Sequence, residues 1–236
     1  LSRGMTYKAA MPGLDFGGGK AVLMGDPGKD KSDALLRAFG RLVDSLGGRY
    51  HTAEDVGMTV ADMDIVRLET PYAHGLADGT GEPSAATAFG VFVGIQAAVE
   101  HRLGLERLKG LRVAVQGLGS VGYRLCRYLA EEGVRLLVAD VDAEKVARAR
   151  AEFGATPVDP AAIHATPVDV FSPCALGAVV NDRTIAHIKA RIIAGAANNQ
   201  LAEPRHGTAL MARGILYAPD YVINAGGLID VANEGP

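Results

Sequence analysis

Two cysteines in 236 residues are too few to staple a domain of this length. Cys126 and Cys174 also lack metal-ligand spacing, so a reducing, cytoplasmic setting is expected. No apolar run reaches the roughly 18 residues of a membrane span, and the first residues lack a signal-peptide succession, so no membrane association is expected. Charge of one sign is also in short supply: 24 Lys and Arg against 27 Asp and Glu leave a net charge of −3. Nucleic acids and anionic membranes want a basic excess, and neither is expected as a partner. Thirty glycines and eleven prolines fall short of the roughly 25–30% that marks low complexity. The six histidines form no H-E-x-x-H or similar cluster, and no metal is expected.

What is present is ordinary for a folded protein: 48% hydrophobic and 22% charged residues, enough for a sizeable core and one to two domains. The chain opens on Leu1 and closes at Asn233-Glu234-Gly235-Pro236 as a helical pattern begins, which gives the expectation of a fragment of a longer protein.

Residues 1–70 mix short apolar runs with glycine-rich turns. Lys20 to Gly25 has the composition of a strand closed by Asp26-Pro27-Gly28. Leu35, Leu36, Phe39, Leu42, Val43 and Leu46 recur at helical spacing until Gly47-Gly48 stops them. A short extended piece at Tyr50–Asp55 and a helix at Val60–Ile65 follow. Thr70–Pro83, rich in Gly, Asp, Pro and Thr, has the composition of a linker. Past it the rhythm changes. Ser84 can cap a helix to about Arg102. Strands are expected at 112–115, 135–139, 156–158, 169–171, 191–194 and 215–217, with helices at 121–132, 144–153, 182–189 and 207–212. That alternation means βαβ units and a parallel sheet covered on both faces. The expected division is 1–78 for one domain and 79–236 for a second, parallel-sheet domain together with the start of the chain's return to the first.

Gln116-Gly117-Leu118-Gly119-Ser120-Val121-Gly122 follows the apolar strand Val113-Ala114-Val115 and opens a helix. Its G-x-G-x-x-G has a reason at each glycine: Gly117 for the tight turn, Gly119 for backbone contact with a pyrophosphate, Gly122 for helix–strand packing. An acid, Asp140, ends the next strand 23 residues after Gly117, where a carboxylate meets the adenosine ribose hydroxyls. The acid favours NAD; Lys145 and Arg148 nearby are cations of the sort that the extra phosphate of NADP requires.

Lys8 and Lys20 lie 12 residues apart among small residues. Gly17-Gly18-Gly19-Lys20 is not a phosphate loop, since Leu14 and Ala21 stand where that motif needs Gly and Ser or Thr. One ammonium can hold a carboxylate while its neighbour, pushed toward neutrality, serves as a general base; two solvated surface lysines are the other reading. Thr52-Ala53-Glu54-Asp55 puts a carboxylate at the end of an extended piece. Asn198 and Asn199 end a strand, where ligands of open parallel sheets bind, although asparagine also simply forms turns. Cys126 and Cys174 read as small core residues rather than nucleophiles.

Seven separated stretches together resemble the leucine/phenylalanine/valine branch of the glutamate dehydrogenase superfamily, most of all leucine dehydrogenases. They are LSRGMTYKAAMPGLDFGGGKAVLMGDP, RYHTAEDVG, EPSAATAFGVF, VQGLGSVG, FSPCALGAVVND, AGAANNQLAEPRHG and ILYAPDYVINAGG, in that order along nearly the whole chain. The resemblance implies a Rossmann-type doubly wound α/β domain beside a partial, truncated α/β catalytic domain. A cleft between them would close to exclude water. It implies NAD-dependent oxidative deamination of an aliphatic L-amino acid, and a homo-oligomer. Carried over by position, Lys8 binds the α-carboxylate, Lys20 is catalytic, Asp55 relays protons and Asn199 sits by substrate and nicotinamide, with Asn198 its neighbour. Thr87 meets the nicotinamide carboxamide and Asp140 the ribose. The side-chain pocket falls on Ala53, Leu228 and Val231. Leu228 replaces a smaller valine and Asp230 an asparagine; the extra methylene, worth about 1–3 kcal/mol, tilts preference toward valine or 2-aminobutyrate. The resemblance also implies that strands preceding Leu1 and a helical segment following Pro236 are missing. A silent NAD-binding relative, a phenylalanine dehydrogenase and a Rossmann reductase for another small substrate are the alternatives.

Overall fold

The computed structural model describes residues 1–77 and 83–233. The chain divides into two compact units, Leu1–Pro83 with Gly227–Pro236, and Ser84–Gly226.

The first unit contains α1 (Ser2–Ala10), α2 (Asp33–Ser45), β1 (Thr52–Ala53), α3 (Val60–Arg67) and β2 (Ala73–His74). Ser32 starts α2 by accepting the Leu35 N–H at 3.3 Å, and the 3–4 spacing of Leu36, Phe39 and Val43 puts them on one buried face. They meet Met63, Val66 and Ala73 in the core of this unit, each large side chain worth about 1.5–3 kcal/mol of burial. Gly40 permits the close α2–α3 crossing, because a Cβ there would lie 2.8 Å from the Val66 carbonyl oxygen. Thr59 and Asp62 form a reciprocal capping box at the start of α3. β1 and β2 pair in parallel, Thr52 opposite Ala73.

Two expectations need correction. Lys20–Gly25 is not a strand: it is irregular backbone with no ladder among the described residues, and an apolar run without a neighbouring strand does not make a sheet. Thr70–Pro83 is not all linker, since β2 lies inside it; its residues 78–82 are outside the described range. Helix α1, which the sequence pattern did not show, turns only Ala9 fully inward.

The second unit begins with α4 (Ser84–Leu103) and continues with β3 (Arg112–Gln116), α5 (Ser120–Glu131), β4 (Arg135–Ala139), α6 (Ala143–Phe153), β5 (Thr156–Pro157), β6 (Val170–Pro173), β7 (Ile192–Ile193), α7 (Arg205–Ala212), β8 (Leu216–Tyr217) and α8 (Asp220–Ile223). Helix α9 (Gly226–Ala232) crosses into the first unit. The strand order is β5-β4-β3-β6-β7-β8, every pair parallel. This is the doubly wound order whose direction of winding reverses between the first and fourth strands, β3 and β6. Alternation is strict: Val113, Val115, Leu136, Val138, Val170 and Ile192 pack on one face, and Ala114, Ala139, Phe171 and Ile193 on the other. Helices covering both faces explain why the strands are continuously apolar. Among the described residues no helix is long and apolar enough to cross a membrane.

The helix expected at 182–189 is absent; only a single 3₁₀ turn, Ile185–His187, forms. Asn181 Oδ1 accepts the Arg183 and Thr184 N–H groups at 3.0 and 3.2 Å, and the Thr184 hydroxyl donates to the Val179 carbonyl at 2.5 Å. These local bonds take the backbone groups that an α-helix would use.

Candidate active site

The turn after β3 is built by its three glycines for three different reasons. Gly117 has φ +97°, and a Cβ on it would lie 2.8 Å from the Ala175 nitrogen. On Gly122 a Cβ would stand 2.0 Å from the Gly117 carbonyl oxygen. Around Gly119 nothing lies within 4 Å of such an atom, so its openness serves no packing need. Gly119 also begins α5 without any side chain to cap it, which leaves the N–H groups of the first turn, at Ser120 and Val121, aimed outward with the positive end of the helix dipole. Asp140 is tied to this turn: its carboxylate accepts the Leu118 N–H at 2.6 Å and the Asp142 N–H at 2.9 Å. Each oxygen retains a second lone pair for a hydroxyl donor. These features fit a dinucleotide with a free adenosine ribose. Lys145 pairs with Asp142 at 3.4 Å. Arg148 pairs with Glu152 at 2.8 Å and stacks on Tyr123.

The loops after β6 and β7 pack backbone on backbone. A Cβ on Gly195 would meet the Pro173 carbonyl oxygen at 2.3 Å, and one on Gly177 the Asn198 carbonyl oxygen at 2.4 Å. Asn199 is in the left-handed region, φ +50°; its N–H donates to Asp220, which also accepts the Tyr217 hydroxyl at 3.1 Å. Asn198 Oδ1 accepts a hydrogen bond from the buried Asn224 amide at 2.8 Å, and the same amide donates to the Ala196 carbonyl at 2.9 Å. Tyr217, Asp220 and Asn224 have no role assigned from sequence, although all three lie in ILYAPDYVINAGG, one of the seven stretches that carry the resemblance. Thr87 lies in the first turns of α4, where a Cβ on Gly226 would touch its Cα at 3.2 Å. Both cysteines are free thiols, and burial raises the pKa of each, as expected of packing residues rather than nucleophiles.

In the first unit the structure brings Lys20 and Asp55 into an ion pair. The residues preceding Lys20 follow their packing partners: a Cβ on Gly18 would lie 2.0 Å from the Ser2 carbonyl oxygen, so the segment lies directly on α1. Half-buried Lys8 is on that same helix. Burial holds the Lys20 amine below the ordinary lysine range; pairing with a carboxylate favours the ammonium, and desolvation wins. Asp55 is anchored from the other side, accepting the Val56 N–H at 2.7 Å. Ala53 is in β1, two residues before Asp55. Leu228 and Val231, one turn apart on α9, share a helix face and are half-buried.

Two family profiles match the chain: "Glu/Leu/Phe/Val dehydrogenase, dimerisation domain" over residues 1–72, and "Glutamate/Leucine/Phenylalanine/Valine dehydrogenase" over 79–146 and 136–234. A leucine dehydrogenase of Geobacillus stearothermophilus is 57% identical over 237 residues, covering 99% of this chain and 65% of that protein. A valine dehydrogenase of Streptomyces virginiae is 49% identical, covering 99% of this chain and 67% of that protein. The crystal structure of L-tryptophan dehydrogenase from Nostoc punctiforme superposes with a TM-score of 0.80 at 53% identity, covering 99% of this chain and 68% of the other. This chain thus spans about two thirds of the length of these relatives.

Proposed function

This chain belongs to the Glu/Leu/Phe/Val dehydrogenase family, and on that premise we propose that it carries out NAD-dependent oxidative deamination of an aliphatic L-amino acid to the 2-oxo acid and ammonia. The observation that carries the proposal is the Lys20–Asp55 pair, an amine biased toward neutrality by burial and held beside a proton carrier. In the proposed mechanism the Lys8 ammonium holds the substrate α-carboxylate. The neutral Lys20 amine takes a proton from the water that adds to the imine carbon, and Asp55 carries protons to the departing nitrogen. NAD, when bound, supplies the acceptor for the α-hydrogen as hydride. The backbone of Gly117, Gly119, Ser120, Val121 and Gly122 would hold its pyrophosphate and Asp140 its adenosine ribose, with Thr87, Asn198 and Asn199 around the nicotinamide. Because Lys145 and Arg148 are already engaged with Asp142 and Glu152, the preference is for NAD over NADP.

Ala53, Leu228 and Val231 supply an apolar pocket with no cation for a second carboxylate, which favours leucine or valine. The likeness to an L-tryptophan dehydrogenase supports a second reading, an aromatic substrate. A dimerisation description for the profile over residues 1–72 supports a homo-oligomer, and the free cysteines suit a reducing cytoplasm. The test is NADH absorbance with L-leucine, L-valine, L-phenylalanine and L-tryptophan at alkaline pH, with Lys20→Ala as control. Turnover of the aliphatic pair that Lys20→Ala abolishes is expected. NAD binding without turnover of any of the four would leave only a silent relative.

A further inference from the structure

Building on the assignment of Lys20 as the reacting amine, we propose that Tyr50 is its positioning residue: one side chain fixes the backbone on both sides of Lys20 and so sets where the amine stands against Asp55. The need is physical. Lys20 sits on irregular backbone with no helix or ladder of its own, and its long side chain has many rotamers to lose. Such an amine has no defined place unless something outside the segment supplies one.

Tyr50 supplies it at two points. Its ring lies against the residue before Lys20, since a Cβ on Gly19 would be 2.7 Å from the ring carbon Cδ2. Its hydroxyl accepts the N–H of the residue after, Ala21, at 3.0 Å. The ring is itself backed by the cluster of Leu36, Phe39, Val43 and Met63, so the clamp rests on the core of the unit. Tyr50 also precedes β1, whose ladder to β2 begins with the Thr52 N–H on the Tyr72 carbonyl at 2.9 Å, and Asp55 lies two residues past the end of β1. One stretch of fixed chain thus holds the acid and grips the backbone of the base. With Gly18 pressed on α1 and Gly19 on the Tyr50 ring, the glycines before Lys20 are a consequence of this double packing, not of phosphate binding. Asp55 is the acid that pairs with Lys20.

Tyr50→Phe tests this, because it retains the ring and its core contacts and removes only the acceptor for an exposed N–H. Competitive acylation of Lys20 followed across pH by mass spectrometry reads the amine directly, without requiring turnover. Loosening the clamp lets water reach the amine, so the labelling midpoint rises toward that of an exposed lysine, and Gly19→Ala, whose methyl meets the ring, moves it the same way. In the active protein kcat falls about tenfold, the cost of a misplaced reacting group, while KM for NAD and the thermal midpoint hold. An unmoved labelling midpoint in Tyr50→Phe overturns the proposal whatever the rates do. A protein that turns over no amino acid, yet shows the shift, refutes deamination and leaves the clamp standing.

Discussion

Gly119 and Gly122 are three residues apart in one motif, yet alanine at each should fail in opposite ways. At Gly122 the new methyl would stand 2.0 Å from the Gly117 carbonyl oxygen and 3.2 Å from Cys174 Cβ. A backbone oxygen cannot step aside cheaply, so α5 must shift against the turn at the upper end of the overpacking range, about 3 kcal/mol. For a unit of this size that lowers the thermal midpoint by about 6–12 °C. At Gly119 the methyl meets nothing, and φ −70° is open to any residue. Alanine is a poorer N-cap than glycine by about 0.5–1 kcal/mol, while it gains about 0.4–1 kcal/mol by restricting the unfolded chain. The two nearly cancel, and the thermal midpoint should stay within about 2 °C. Cofactor affinity should not survive: a methyl where the pyrophosphate must approach costs at least about 1.4 kcal/mol, tenfold in Kd. Thermal unfolding without cofactor and NADH fluorescence titration measure the two quantities separately. If Gly119→Ala binds NADH as tightly as the parent, the openness at Gly119 is not a ligand site.

Lys20→Ala should abolish NADH formation, and in the parent the rate should rise with pH along a limb set below the ordinary lysine range, because burial lowers this amine and only its neutral form accepts a proton. Asp140→Asn should weaken NAD binding by about tenfold, read by the same titration, since a neutral amide meets ribose hydroxyls less strongly than a carboxylate does. Leu228→Val should raise kcat/KM for L-leucine relative to L-valine by about tenfold or more, the worth of one methylene; an unchanged ratio would place the side-chain pocket elsewhere. Burial pulls the Asp62 carboxyl up, but bonds from Lys31 and Thr59 outweigh it and hold the pKa below the usual value. The resulting stability is full above the unfolded value of about 3.9 and is lost as pH falls through the lower folded value, so Asp62→Asn should flatten acid unfolding in that window and lower stability at neutral pH.

The doubly wound unit was the most legible part of the chain. The strand at 135–139 matches β4 residue for residue, because a short apolar run, a following acid and a preceding Gly133 turn all agree there. Patterns failed where the deciding partner lay outside the window. Apolar residues at 20–25 cannot announce whether a neighbouring strand exists, and the periodicity over 182–189 cannot weigh the Asn181 and Thr184 side chains against a helix. Helix α1 was invisible because Ala9 alone is fully buried, so no apolar period marks it. In the candidate site, Gly117, Gly119, Gly122 and Asp140 could be proposed from the residues alone because one βαβ unit sets their spacing. Lys20 and Asp55 lie 35 residues apart, and their pairing followed only from the resemblance. Tyr50, Asp220 and Asn224 act by holding another residue's backbone or amide, a role that no residue type advertises.

Two lysine–aspartate pairs in the first unit show why geometry had to choose between them. The lysine side chains are equally shielded, 25% exposed at Lys20 and 24% at Lys31, so burial of the cation does not separate chemistry from architecture. The carboxylates do. Asp62 is 13% exposed, and one of its oxygens already accepts the Lys31 ammonium at 2.6 Å, the Thr59 N–H at 2.7 Å and the Thr59 hydroxyl at 2.8 Å. Lys31 in turn donates to the Gly57 carbonyl at 3.1 Å, which fastens the loop that follows Asp55. Those three bonds converge on one oxygen and tie Asp62 to the start of α3 and to Lys31, a structural use of the carboxylate. Asp55 is 39% exposed, with a carboxylate that solvent can reach. A proton relay must exchange protons with something that enters and leaves, so the reachable acid is the one whose removal should stop the reaction, while the enclosed acid is the one whose removal should loosen the fold that carries it.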